Sequence, residues 1–394
     1  MADHIPFITG EDSGNLAKKV YPDADIVRVP LDRAARFLQF LPASSKAWLD
    51  PCVDGMDDLE TRRSQPNKRN SWFDFMRGFA NFEKIGAPAY HAKPDTSEVY
   101  TFVKAVMDKC VKYRPAWITV PQLPLVSGSE RNKINRVMAE ATGRWKSNSG
   151  FSGRLILPLV FTHQKQVNGK TARNRKVQQA ERGYHVAQAD GVWIVDVSLT
   201  DESGSSTWRN KRLSGVIDLH EELNLCISSK IRIAGPYWGL NLVLWARGLV
   251  DHLAIGIGGG YQYFPAGGPS RQPLTKLALP SLRRRVGIGP QFRTWLEQAM
   301  AKLAASHPAH AEFSEIRKHY TSLSEPVRAR EQVARFYKQW FNIIAAAPKA
   351  GRSMALFQDL SAAYALGKSL PELVDEKTAR RPEAVAEPLM LSCL

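Results

Sequence analysis

The sequence has few cysteines and no long apolar run. Its 394 residues include four cysteines, at 52, 110, 226 and 393, and none of them has C-x-x-C spacing. This pattern argues against a disulfide framework and against a local zinc knuckle. No segment is apolar for long enough to span a bilayer, and the opening residues lack the basic and apolar regions of a signal peptide. We therefore expect a cytoplasmic protein with no membrane partner.

The common catalytic and metal-binding motifs are also missing. The chain has no H-x-H, H-E-x-x-H, G-x-S-x-G or kinase signature, and His4, His163, His220 and His252 are isolated from one another. We therefore expect no metal site, and the sequence identifies no cofactor. Only His163, which follows a predicted strand and precedes Gln164, is a candidate catalytic histidine. Gln164 and Gln122, both just beyond predicted strands, are candidate substrate-binding residues.

The clearest compositional signal is positive charge. Lys and Arg number 54 against 38 Asp and Glu, which gives a net charge of +16. Such an excess favours a polyanionic partner, above all DNA or RNA. The alternative is a solvated basic surface with no specific partner, and the positions of the charges have to decide between the two.

Strand-like and helix-like segments alternate through the first two thirds of the chain. Eight predicted strands separated by helices within about 260 residues match a (β/α)8 TIM-type barrel, here residues 1–264. A doubly wound open sheet is the alternative. A Pro-, Gly- and Arg-rich linker is predicted over 265–291 and a C-terminal α-helical extension over 292–375, which could bind protein partners; 376–394 is predicted to be a disordered tail.

The last two predicted strands and their helix occupy residues 230–260 and end on three glycines. The backbone of Gly258, Gly259 and Gly260 can approach a ligand closely and present N–H groups to an anion. The same glycines could instead form only a tight exit from a buried strand. Tyr237 and Tyr261 are candidate substrate contacts that could stack on a base, or they could seal the end of the barrel.

Barrel enzymes carry their chemistry at the carboxyl ends of the strands. Asp50 ends the third predicted strand, and Asp196 interrupts the apolar sixth, so both are candidate catalytic carboxylates; Asp54 and Asp201 are more typical of turn or cap residues. Basic residues follow several strands and predict a cationic rim that binds phosphates. These candidate nucleic-acid-binding residues are Arg62, Arg63, Lys68, Arg69, Lys170, Arg173, Arg175, Lys176, Arg209, Arg283, Arg284 and Arg285.

The stretch RIAGPYWGLNLVLWARGLVDHLAI resembles the late barrel of the tRNA-guanine transglycosylases and their DNA-modifying relatives. Ala246-Arg247-Gly248 and Val250-Asp251 match that pattern over roughly thirty residues. The resemblance implies a barrel that acts on a base or sugar in nucleic acid. It also implies a nucleophilic aspartate at a position that is Ala254 here, and a three-cysteine, one-histidine zinc site that this chain lacks.

Two hypotheses follow from these observations. The first is a transglycosylase-like enzyme that acts on DNA or RNA through carboxylates in the barrel mouth. The second is a barrel without catalysis that serves as a nucleic-acid-binding subunit of a larger assembly. Ala254 and the helical extension suit the second hypothesis, and a catalytic role for Asp196 suits the first.

Overall fold

A computed structural model gives the fold of the chain. It divides the chain into two compact units, the first formed by residues 1–199, 215–237 and 249–271 and the second by 200–214, 238–248 and 272–394. The residues that the structure describes are 4–59, 71–126, 129–162, 167–197, 199, 206–228, 231–257, 263, 275–375 and 378–394.

Eight strands of the described chain form one parallel sheet in the first unit, in the order β1-β8-β7-β6-β5-β4-β3-β2. β1 pairs with β8, and a parallel bridge between Phe7 and Arg28 joins β1 to β2, so the sheet closes on itself. The predicted TIM-type barrel is therefore confirmed, and the open sheet is not observed. The strands are β1 (His4–Pro6), β2 (Ile26–Pro30), β3 (Lys46–Asp50), β4 (Trp117–Thr119), β5 (Arg154–Phe161), β6 (Gly191–Asp196), β7 (Arg232–Ala234) and β8 (His252–Ile255).

Helices connect these strands, as the alternating sequence pattern predicts. Among the described residues no helix is long and apolar enough to cross a membrane. The helices between β1 and β8 are α1 (Glu11–Val20), α2 (Ala34–Phe37), α3 (Ser71–Met76), α4 (Phe82–Ile85), α5 (Thr96–Val111), α6 (Ser129–Ser149), α7 (Lys170–Val186), α8 (Ser206–Cys226) and α9 (Leu240–Ala246).

Aromatic side chains fill the interior of the barrel. The rings of Phe7, Trp48 and Trp193 meet edge to face, with centroids 5.5 to 5.6 Å apart. β3 and β6 are not neighbours in the sheet, so Trp48 and Trp193 can meet only across the lumen. Side chains alternate between the two faces of a strand, and this contact therefore identifies the inward positions of both strands. Ala254 is also inward, because it pairs in register with Ile5 two residues before Phe7.

The second unit has its own core, built from a hairpin and helices. Leu277, Leu279 and Val286 pack with Trp295 and Phe313 in one buried cluster. The hairpin lies inside the segment 265–291 that was predicted to be a linker, because Pro, Gly and Arg residues dominate the composition there. The elements of this unit, besides α9 and the first part of α8, are β9 (Lys276–Leu279), β10 (Arg284–Gly287), α10 (Pro290–Ala301), α11 (Pro308–Lys318), α12 (Tyr320–Leu323), α13 (Pro326–Ala345), α14 (Arg352–Ser369), β11 (Leu373–Asp375), β12 (Thr378–Arg380) and α15 (Ala386–Leu391).

The end of the chain differs from the disordered tail that its composition predicted. Residues 378–394 hold strand β12 and helix α15, and Val385, Leu389 and Cys393 are buried. Proline and charged residues dominate the composition around 380, which is typical of disorder. The apolar residues that follow are nevertheless buried in the fold. Helix α9 also differs from expectation, since it belongs to the second unit although β7 and β8 flank it.

Candidate active site at the barrel mouth

Arg28 and Asp50 form a buried ion pair at the carboxyl ends of β2 and β3. Arg28 pairs in register with the inward-facing Trp48, so its side chain also points into the barrel. Its Nε and Nη2 donate to Asp50 Oδ2 at 2.8 and 2.5 Å, and both residues are almost fully buried. Burial alone would lower the pKa of Arg28, but the attraction of Asp50 raises it above its usual value. The guanidinium is therefore a permanent positive charge in the barrel mouth.

The second oxygen of Asp50 is held by the backbone that follows β3. Cys52 N–H donates to Asp50 Oδ1 at 2.8 Å, and Arg28 Nη2 lies 3.2 Å from Cys52 Sγ. Cys52 adopts a left-handed conformation with φ 54°, which costs a residue other than glycine about 1 kcal/mol. This turn lets the N–H face back toward the carboxylate. Both oxygens of Asp50 are thus engaged, so Asp50 positions Arg28 and does not present a free oxygen to a substrate.

Asp54 is the carboxyl group of the site that can exchange a proton near neutral pH. It lies in the short 3-10 segment Val53–Asp58 and accepts a 2.6 Å hydrogen bond from the hydroxyl of Tyr263, which follows β8. Burial, together with the negative charge of Asp50, raises the pKa of Asp54 to about 7, although the Tyr263 hydrogen bond and Arg28 oppose this shift. Burial also raises the pKa of Tyr263, which stays a neutral donor.

Aromatic rings surround the cation. The guanidinium carbon of Arg28 lies 4.6 Å from the ring centre of Phe7 and 5.5 Å from those of Trp193 and Tyr263. Cations are attracted to aromatic faces, more strongly when water is excluded. The Trp193 indole is itself fixed, because its Nε1 donates to Gly235 O at 2.7 Å. The described part of the mouth therefore holds a buried cation and a proton-exchanging carboxyl among aromatic rings.

Asp196 and Tyr237, predicted as catalytic and substrate-binding residues, are buried together beside β6. The backbone N–H of Asp196 donates to the hydroxyl of Tyr237 at 2.5 Å. Asp196 lies three positions beyond the inward Trp193, so strand alternation places it on the opposite face, toward the helices. This differs from the expectation that Asp196 enters the barrel mouth, because the apolar run around it did not reveal which face is inward.

Gln122 lies away from the mouth as well. Its Nε2 donates to the carbonyls of Pro121 and Asn135, each at 2.9 Å, so the side chain binds helix α6. Of the two predicted catalytic residues that the structure describes, Asp50 lies at this site, together with Arg28, Asp54 and Tyr263, and Asp196 does not.

Most of the predicted basic rim that the structure describes is bound within the protein. Arg173 is buried and pairs with Asp218 and Glu222 at 2.9 and 3.3 Å, and the ammonium of Lys176 donates to Val126 O. Lys170 and Arg175 are exposed. In the second unit Arg283 pairs with Asp359, Arg284 donates to Arg381 O and Pro382 O, and Arg285 lies over the ring of Trp238.

The other predicted site residues fall outside the described part of the chain. Helix α8 includes Arg209, whose side chain is likewise not described. No group of three or more His, Cys, Asp or Glu side chains within the described ranges is arranged to hold a metal ion. The residues outside these ranges are Arg62, Arg63, Lys68, Arg69, His163, Gln164, Gly258, Gly259, Gly260 and Tyr261.

Sequence reasoning missed Arg28 and undervalued Asp54. The signal for Arg28 was present, since it is a single charge within the apolar strand sequence IVRVP, the same feature that singled out Asp196. For Asp54 the spacing DPCVD placed two carboxyl groups on one turn. Its partner Tyr263 is 209 residues away, and no local pattern connects the two.

Comparison with known proteins gives no family for this chain. No protein-family model matches it, and no curated protein does. One similar solved structure is a GH128 (subgroup I) endo-beta-1,3-glucanase from Amycolatopsis mediterranei in complex with laminaripentaose. It shares 11% sequence identity, and the match covers 68% of this chain and 97% of that chain with a TM-score of 0.29. A TM-score this low supports no inference about the substrate of this chain.

Proposed function

We propose that the barrel mouth catalyses proton transfer at the bond between a base and its sugar in nucleic acid. The observation that carries this proposal is Asp54, a buried carboxyl whose pKa is raised to about 7. A group with this pKa is populated in both forms near neutral pH and can give or take a proton efficiently.

The roles of the neighbouring residues follow from their contacts. Asp54 protonates the departing base as the bond to the sugar carbon breaks, and the electron pair of that bond stays with the base. Arg28 stabilises negative charge that develops on the base, and Asp50 keeps Arg28 in place. Water, in base release, or a second base, in base exchange, then bonds to the sugar carbon and gives a proton to the Asp54 carboxylate, which restores the acid. Tyr263 orients the carboxyl of Asp54 by its hydrogen bond.

Two features of the chain support nucleic acid as the substrate. The net charge of +16 favours a polyanion, and exposed Lys170 begins helix α7, at the carboxyl end of β5. The resemblance of residues 232–255 to the transglycosylases also favours a nucleic-acid substrate.

The test uses fluorescein-labelled DNA and RNA oligonucleotides with the full chain. Binding is measured by anisotropy at rising salt, and chemistry by chromatography of released base and by incorporation of radiolabelled guanine. We expect affinity to fall steeply with salt. We also expect Asp54→Asn to retain binding and to lose turnover by about 100-fold. Salt-independent binding, or a turnover that Asp54→Asn leaves intact, would contradict the proposal.

The second candidate is a barrel that binds nucleic acid without reacting with it. Ala254 favours it, since this inward residue stands where the resemblance places a nucleophile, and so does Asp50, whose two oxygens are both engaged. In that case the oligonucleotides bind, but neither base release nor guanine incorporation occurs in the wild-type protein.

A further inference from the structure

A cavity of about 230 Å³ lies in the helix layer outside the barrel, between α6, α7 and β5. Pro158 pairs in register with the inward-facing Trp193, so Pro158 also points into the barrel. Leu157 and Leu159 on either side of it therefore point outward, and they form the floor of the cavity. This location separates the cavity from the interior of the barrel.

Helix α7 presents a polar wall to the cavity. Arg175, Gln178, Gln179 and Arg182 all line it, at spacings of three, four and seven residues that share one helix face. Arg136 of α6 lines the cavity from the other side. Guanidinium and carboxamide groups thus converge on an apolar floor, which is the usual composition of a small-molecule site.

The positive charge of this wall is largely uncompensated. Arg136 pairs with Glu140 at 2.8 Å on the exposed surface of α6. Arg175 and Arg182 are exposed, and neither forms an ion pair with a residue in the described part of the chain. Elsewhere on α7 the contrast is clear, since Arg173 has two carboxylate partners. The two arginines of the wall are therefore available to an anion.

The inner end of the cavity is rigid. Asn135 accepts from Leu123 N–H through Oδ1 and donates to Leu123 O through Nδ2, both at 2.9 Å. Gln122 donates in turn to Asn135 O at 2.9 Å. These bonds attach the loop after β4 to helix α6, so the shape of the cavity is set before a ligand arrives. The protein therefore loses less conformational entropy when the ligand binds.

We propose that this cavity binds a small organic phosphate, a phosphomonoester of a sugar or of a nucleoside. Guanidinium groups match phosphate oxygens in a two-pronged geometry, and Arg175 and Arg182 supply two such groups. The carboxamides of Gln178 and Gln179 can bind hydroxyl or base edges of the organic part, which packs on Leu157 and Leu159. At about 230 Å³ the cavity is smaller than typical ligand pockets of roughly 300–1,000 Å³, so it takes only a small ligand and excludes a polymer.

Calorimetry on the full chain tests the site with three probes: inorganic phosphate, glucose 6-phosphate and AMP. Binding of glucose 6-phosphate alone identifies a sugar phosphate, and binding of AMP alone identifies a nucleotide. We expect the preferred ester to bind more tightly than inorganic phosphate. Equal affinity for all three probes, or no binding of either ester, would overturn the proposal.

Two variants place the binding in this cavity. The double change Arg175→Gln with Arg182→Gln should lower the affinity for the ester by at least about 10-fold, or 1.4 kcal/mol. The matched control, Arg154→Gln with Arg317→Gln, removes the same charge from two exposed positions outside the cavity and should leave affinity unchanged. An equal loss in both double variants would show a general charge effect and refute the site.

A steric variant gives an independent measurement. A Cβ at Gly183 would lie 3.6 Å from Leu157 Cδ2, an ordinary contact, so Gly183→Ala should fold normally and bind the ester. Gly183→Leu extends further into the cavity and should abolish binding while circular dichroism shows an intact fold. Ester binding that survives Gly183→Leu would place the ligand elsewhere.

Discussion

Asp54→Asn should stabilise the protein at alkaline pH and have almost no effect in acid. The pKa of Asp54 moves from an ordinary 3.8 to about 7 in the folded state, which corresponds to about 4 kcal/mol at about 1.4 kcal/mol per pH unit. The folded protein binds this proton more tightly than the unfolded chain does. The contribution of Asp54 to stability is therefore fully present below pH 3.8 and is lost as the pH rises to about 7.

Asparagine removes the charge and keeps an acceptor for the hydroxyl of Tyr263. The unfolding free energy of Asp54→Asn should thus equal that of the wild type at about pH 4. At about pH 8 it should exceed the wild-type value by about 2–4 kcal/mol. Urea titrations followed by tryptophan fluorescence measure this difference, because Trp48 and Trp193 lie in the barrel interior. The exposed Asp74 of helix α3 provides the control variant Asp74→Asn. A gain in unfolding free energy that does not vary with pH would refute the raised pKa of Asp54.

The fold makes two further predictions for unfolding titrations. Asp50→Ala should lower the unfolding free energy by about 3–5 kcal/mol, because it leaves the buried guanidinium of Arg28 unpaired. Adding Arg28→Met should restore part of this stability. A double variant that is no more stable than Asp50→Ala would contradict a buried pair. Gly143→Ala should destabilise by about 2 kcal/mol or more, since its Cβ would lie 2.0 Å from Val186 O. Gly183→Ala, whose Cβ would make only an ordinary contact with Leu157 at 3.6 Å, should gain up to about 1 kcal/mol. A similar gain at Gly143 would show that α6 and α7 are not in close contact.

The barrel was predictable because its signal is local. Each strand of a parallel sheet is buried on both faces and each helix on one, so apolar runs and helical spacing alternate along the chain. The strand pairing is regular too: the parallel register places Arg28 beside Trp48, and a parallel bridge joins β1 to β2. The limits of the C-terminal unit were less predictable, since the hairpin at 276–287 stands among Pro, Gly and Arg residues that are typical of linkers.

The candidate site was harder to predict, because its members meet through tertiary contacts. Asp50 could be found at the end of its strand, but its partner Arg28 comes from another strand and Tyr263 from beyond β8. The inward face of β6 is identified only by the contact of Trp193 with Trp48 across the lumen. The outward orientation of Asp196 follows from that contact. The raised pKa of Asp54 depends on burial and on the charge of Asp50, neither of which a single sequence states.

The charge of the chain also changes its meaning once the contacts are known. An arginine that pairs with a carboxylate, as Arg28 and Arg173 do, adds nothing to the net charge, because its partner cancels it. The excess of 16 positive charges must therefore be carried by Lys and Arg residues without acidic partners. Lys170, Arg175 and Arg182 on one helix are examples in the described part of the chain. An anionic partner thus stays a prediction; of these three residues, Lys170 and Arg175 were singled out from the sequence and Arg182 was not.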